Sequence, residues 1–173
     1  MSLFYLLLGF FLFFLQHVGP FPAPWRPDFL TLYIVFVTLR LDIPYAVGLA
    51  WLYGLLLDCY GLAPLGLHAA LLLTAVMGTA LSRRRLNFLY VFPQIAGVGL
   101  IMVLQAAIMV GLLHLLLPVP VVHLAMLRQA LQQLLTTALS APLVFGLFRL
   151  LEIGWQRWIL KKSPRPFLAG LRW

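Results

Sequence analysis

An acid and an imidazole stand ten residues apart in the stretch Trp51-Leu-Tyr-Gly-Leu-Leu-Leu-Asp-Cys-Tyr-Gly-Leu-Ala-Pro-Leu-Gly-Leu-His68, which is otherwise apolar. Ionisable groups in such surroundings are costly and are kept for a contact or a reaction. Asp58 has three candidate roles: capping backbone groups at a helix end, pairing with Arg128, Arg26 or a protonated His68, or holding a proton or cation. No second acid lies within the hydrophobic segments, so the last role has the least support, and structural pinning is expected over catalysis. The four histidines, His17, His68, His114 and His123, all map toward one side of the chain's segments. None shows HxxxH spacing, and only Asp58 could add a carboxylate, so neither metal nor cofactor is expected. The single cysteine, Cys59, excludes an internal disulfide. No Ser/His/Asp elbow, carboxylate pair or phosphate-cradling Gly loop appears, and the expected class is non-enzymatic.

A second polar group is concentrated in one late segment. Gln129, Gln133, Thr136 and Ser140 fall at i, i+4, i+7 and i+11, which is one stripe of a helix. In lipid such a stripe must face other helices or a polar cavity. The spacing leaves both choices open.

The elements that hold these residues follow from composition. Of 173 residues, 64% are hydrophobic and only 9% charged, more apolar surface than a soluble core can use. Six hydrophobic segments emerge: Leu3 to Val18, Phe29 to Leu39, Tyr45 to Tyr60, Leu65 to Leu81, Phe88 to about Leu117, and about Leu124 to Leu150. The first has no Lys or Arg before it and no small-x-small cleavage site after it, so it is expected to be a retained helix. Asp28 suits the N-cap of the second. Counted through Ile43, the second covers only about 22 Å against a bilayer core of about 30 Å, so it requires membrane thinning or shielding by neighbours. The expected fold is an all-α integral membrane protein with six transmembrane helices spanning 1–151. A basic, tryptophan-bearing tail over 152–173 is expected to lie at cytoplasmic headgroups and anionic lipid.

The basic residues test this division. With both termini cytoplasmic, Arg40, Arg83, Arg84, Arg85, Arg149, Arg157, Lys161, Lys162, Arg165 and Arg172 fall inside, and only Arg26 and Arg128 outside. That asymmetry is what the positive-inside rule demands. It also accounts for the net charge of +8 without a phosphate-binding groove, so nucleic acid is not an expected partner.

Small residues recur every fourth position at Ala46, Ala50 and Gly54, leading to Asp58, and again at Gly66, Ala70, Thr74, Gly78 and Ser82. Such faces let membrane helices approach closely. The third and fourth helices are therefore expected to form a tight antiparallel hairpin, with Gly61 and Pro64 in its outer turn.

The pattern Arg26-Pro27-Asp28-Phe-Leu-Thr-Leu, then Gly54-Leu-Leu-Leu-Asp58 and Pro64-Leu-Gly66-Leu-His68-Ala69, resembles the rod shape-determining protein MreD family. The likeness is specific from Arg26 to Arg85 and hydropathic afterwards. It departs in the turn after the aspartate, where the family commonly has Ser-Gly and this chain has Tyr60-Gly-Leu-Ala63. The resemblance implies a multi-pass protein of the bacterial inner membrane, a scaffold of the elongation machinery that controls lateral peptidoglycan synthesis. MreC is then the direct partner, with RodA, its class B penicillin-binding protein and MreB filaments beyond it. It further implies a fold similar to the substrate-binding subunits of energy-coupling-factor vitamin transporters. A rival reading follows: a small-molecule binding subunit with a polar cavity beside Gln129, Gln133 and Asp58.

Overall fold

The computed structural model describes residues 2–18, 27–61, 64–83, 88, 90–116 and 124–162. These form six helices: α1 (Ser2–Val18), α2 (Phe29–Arg40), α3 (Ile43–Tyr60), α4 (Leu67–Ser82), α5 (Val91–Leu116) and α6 (Leu124–Lys162). No described residue is in a strand. Three stretches, Ile43–Tyr60, Val91–Leu112 and Arg128–Arg157, are long and apolar enough to cross a membrane, while α1, α2 and α4 are shorter apolar helices. The chain is an all-α, multi-pass membrane protein.

The architecture is built around its shortest element. α2 has 12 residues, about 18 Å at 1.5 Å per residue. Residues Leu30 through Thr38 are all buried, without a polar face left outside, as expected of a helix that is apolar all round. α1, α3, α4 and α6 pack against it, and α5 closes the shell between α4 and α6. Shielding therefore resolves the length mismatch: α2 is enclosed by longer neighbours and has no lipid-facing side that must span the bilayer. The lipid side of α1 carries Leu3, Leu7, Phe11 and Phe14.

Buried tyrosines fasten this centre. The Tyr33 hydroxyl donates to the Tyr5 carbonyl at 2.5 Å, and Tyr53 donates to the Leu6 carbonyl at 2.5 Å. Their rings meet edge to face at 5.8 Å. A phenol so buried needs its acceptor, because leaving it unsatisfied costs about 1–3 kcal/mol.

α2 stops at Arg40 and α3 starts at Ile43, in the break expected between Leu39 and Tyr45, and Pro44 stands in the first turn of α3, where proline is tolerated. One boundary differs from the sequence reading. The helix expected to close at Leu150 continues to Lys162, so the first part of the expected tail is a helical extension of α6. Pro142 lies inside this helix without ending it.

Candidate functional site: the Asp58 corner

α3 delivers Asp58 in its last turn, with the side chain fully buried. The chain then turns back through Pro64 and Gly66 into α4. The Leu67 amide donates to the Pro64 carbonyl at 3.2 Å, closing a β-turn. Gly66 in that turn has φ 94° and ψ −9°, the left-handed conformation that a type II turn requires at this position and that glycine adopts without strain. No other described residue has positive φ.

Gly66 caps α4 but has no side chain with which to do so. Asp58 supplies the missing acceptor from the neighbouring helix. Its Oδ2 accepts the Gly66 amide at 2.7 Å, and its Oδ1 accepts the His68 amide at 2.9 Å. The His68 ring Nδ1 also lies 2.8 Å from Oδ1. An ionised carboxylate only accepts, so this ring nitrogen carries the proton. The negative charge sits where the helix dipole and unpaired amides favour it. The corner is thus a cross-helix N-cap, with His68 as a second clasp whose side chain is 34% exposed.

Of the three roles open to Asp58 in the sequence, capping and the His68 contact are both present. Arg26 lies outside the described residues, and no ion pair joins Asp58 to Arg128 among the described residues. His17 lies at the C-terminal end of α1, with its ring 5.0 Å from Tyr60 and its Nδ1 2.8 Å from the Phe13 carbonyl. The side chain of His114 and all of His123 lie outside the described residues. Among the described residues no three His, Cys, Asp or Glu side chains gather as a metal site would require.

The small-residue faces divide. On α3, Ala46, Ala50, Gly54 and Asp58 are all buried, and a Cβ on Gly54 would overlap the Ala69 Cα. The hairpin is as tight as expected. On α4, however, the residue meeting α3 is Ala69. Gly78 faces α5, where a Cβ would stand 3.2 Å from Ile101 Cγ1. Ala70 and Thr74 are half-buried, with the Thr74 hydroxyl returned to the Ala70 carbonyl at 2.8 Å, and Ser82 is half-buried at the helix end. The four-residue repeat on α4 drifts away from α3 because 3.6 residues per turn carries it round the helix.

A second polar centre lies beside α2. Asp28 is its N-cap, as expected: Oδ1 accepts the Thr31 amide at 3.0 Å and Oδ2 the Thr31 hydroxyl at 2.7 Å. Pro27, half-buried, leads into it. The Asp28 amide donates to Thr137 Oγ1 of α6 at 3.0 Å, and Gln16 Oε1 of α1 accepts the Leu30 amide at 3.2 Å. From α5, Gln105 Nε2 donates to the Leu71 carbonyl of α4 at 2.8 Å and reaches Thr31 Oγ1 at 3.4 Å. Polar side chains thus tie α1, α4, α5 and α6 to the start of α2.

Sequence reasoning missed Gln16 and Gln105, and it counted Thr137 in the polar load of the sixth segment but left it off the stripe. Gln105 offered a signal, since it is the only amide between Gln94 and His114 in a long apolar run. The expected stripe on α6 stands beside this centre and not in it. Thr136 bonds back to the Gln132 carbonyl at 2.9 Å and Ser140 to the Thr137 carbonyl at 3.0 Å. Gln133 is half-buried and Gln129 exposed. The fully buried Thr137 makes the interhelical bond.

At the opposite end, Glu152 accepts the Tyr5 hydroxyl at 2.9 Å and pairs with Arg40 Nε at 3.6 Å. Phe4 and Trp155 rings meet at 5.4 Å. No protein-family model matches the chain, and neither a curated protein nor a solved structure does.

Proposed function

We propose that the protein is a non-enzymatic membrane scaffold of the bacterial elongation complex, holding MreC and supporting control of lateral peptidoglycan synthesis. In this reading all six helices lie in the inner membrane and both termini are cytoplasmic. RodA, its class B penicillin-binding protein and MreB are reached through the complex, and the basic end of α6 rests on anionic lipid. The observation that carries the proposal is the use made of Asp58: its hydrogen bonds to Gly66 and His68 all serve the α3–α4 turn. A carboxylate so engaged shapes a surface and offers no free base to a substrate. Of the motif residues that suggested the family, Gly54, Asp58, Pro64, Gly66 and His68 converge on that one corner, while Asp28 caps α2.

The vitamin-binding alternative has less support, since Asp58 turns to Gly66 and His68 and not toward Gln129 and Gln133. The test is co-purification with MreC from the same cell membrane. The intact chain is expected to bring MreC with it. Asp58→Ala and Gly66→Leu, inserted at normal levels, are expected to lose it. Retention by both variants removes the corner from the interface, and no capture by the intact chain ends the proposal.

A further inference from the structure

Two polar layers gauge the apolar thickness of the bundle. At one end Tyr5, Arg40 and Glu152 form a linked set, and at the other Gln16, Asp28 and Thr137 do so. From layer to layer α1 advances 11 residues, α2 12 and α6 15, which is about 17, 18 and 22 Å at 1.5 Å per residue. α3 is bounded by Asp42 and Asp58, 16 residues apart, and α4 by His68 and Arg83, 15 apart, or about 24 and 22 Å. A bilayer core is about 30 Å thick, and tilt only lowers the height that a helix spans. α2 escapes this shortfall by enclosure, but α1 and α3 do not: Phe11 and Phe14 on the first and Trp51 and Leu52 on the second are exposed. α5 and α6 do not share the shortfall. From Gln105, which reaches the Thr31 hydroxyl beside Asp28, α5 runs 11 residues further to Leu116, and from Thr137 α6 runs back 13 to Leu124, about 16 and 20 Å past the layer. The bundle thus has a short side and a tall side, with the step at the Asp28 end.

We propose that the short side, α1, α3 and α4, thins the bilayer beside it and selects phospholipids with short acyl chains. A core of full thickness there would draw the exposed Asp42 and Arg83, or the partly exposed His68 ring, into hydrocarbon. It would also cover the last carbonyls of α3, which have no partner further along the helix. Charges and bare carbonyls resist that burial more strongly than a bilayer resists compression, so the lipid yields. On the tall side, α5 and α6 are long enough to meet a core of ordinary thickness. The inference uses only helix lengths and polar limits, and it stands whether or not the elongation proposal does.

The test lets brominated phosphatidylcholines quench a single tryptophan in the full chain reconstituted in vesicles. One protein keeps only Trp51, on α3 and 57% exposed; the other has Trp51→Phe as well and Leu143→Trp on α6, at a position 75% exposed. Both reporters lie about 10 Å inward of the layer that holds Asp28. At Trp51, lipid with fourteen-carbon chains is expected to bind about threefold to tenfold more strongly than lipid with twenty-carbon chains. At the Leu143→Trp reporter that preference is expected to vanish or reverse. The same preference at both reporters overturns the proposal, as does a long-chain preference at Trp51 or none, the result expected if a protein partner and not lipid fills the step. The unsubstituted chain supplies a check that no variant can spoil. Its melting temperature is expected to be highest in the fourteen-carbon vesicles, and a flat profile or a maximum in the twenty-carbon vesicles also overturns the proposal.

Discussion

Replacing Asp58 separates a cap from an ion pair. Asp58→Ala leaves the Gly66 and His68 amides without their acceptor in a buried corner, at a cost of about 2–3 kcal/mol. His68→Ala removes only the half-wet ring and is expected to cost less than about 1 kcal/mol. Asp58→Asn keeps one acceptor and falls between them. Thermal unfolding in detergent gives the order, and a His68→Ala loss equal to that of Asp58→Ala would mean that the ring contact dominates. The presence of an Asp–His corner was legible from residue types, since a lone acid before a Gly/Pro turn has few partners within reach. Its division of labour was not, because the decisive donors are backbone amides whose position depends on Gly66 being left-handed.

At the level of helices, the close approach of α3 and α4 depends on one missing methyl group. Gly54→Ala places a Cβ on the backbone at Ala69 and is expected to destabilise by about 1–3 kcal/mol. Gly48→Ala lies on the same helix in open space and should be neutral or stabilise by up to about 1 kcal/mol. Equal effects in the same unfolding assay would refute the packing account. The α3 face could be read from spacing because Ala46, Ala50 and Gly54 span few turns. The longer α4 series could not, since drift carries Gly78 to α5. The extent of α6 was hidden by composition. Tryptophan and lysine suggested a tail, although the first proline after Pro142 is Pro164 and nothing before Lys162 forbids helix beyond the single Gly154.

Across the whole molecule, the two ends of the bundle are held by different means. One end uses buried amides, hydroxyls and carboxylates around Asp28 and Asp58. The other joins α1, α2 and α6 through Tyr5, Arg40 and Glu152. The Arg40–Glu152 separation is 3.6 Å and the arginine side chain is 42% exposed, so a double-mutant cycle should give a coupling below about 1 kcal/mol. A coupling of several kcal/mol would show that the pair is shielded from water. Six helices and their order were legible because hydropathy and the arginine distribution are local properties. The central place of α2 was not, since enclosure depends on five other helices arriving around it.

That enclosure sets an order for biogenesis. A nascent segment of about 18 Å leaving the translocon cannot match a bilayer core of about 30 Å, and its flanking Asp28 and Arg40 discourage deeper burial. α2 must therefore wait beside the insertion machinery, or at the membrane surface, until α3 and α4 emerge to receive it. In a chain ended after Arg40, a cysteine at Val35 should react readily with a bulky maleimide. In the full chain, where Val35 is completely buried, the same cysteine should be protected.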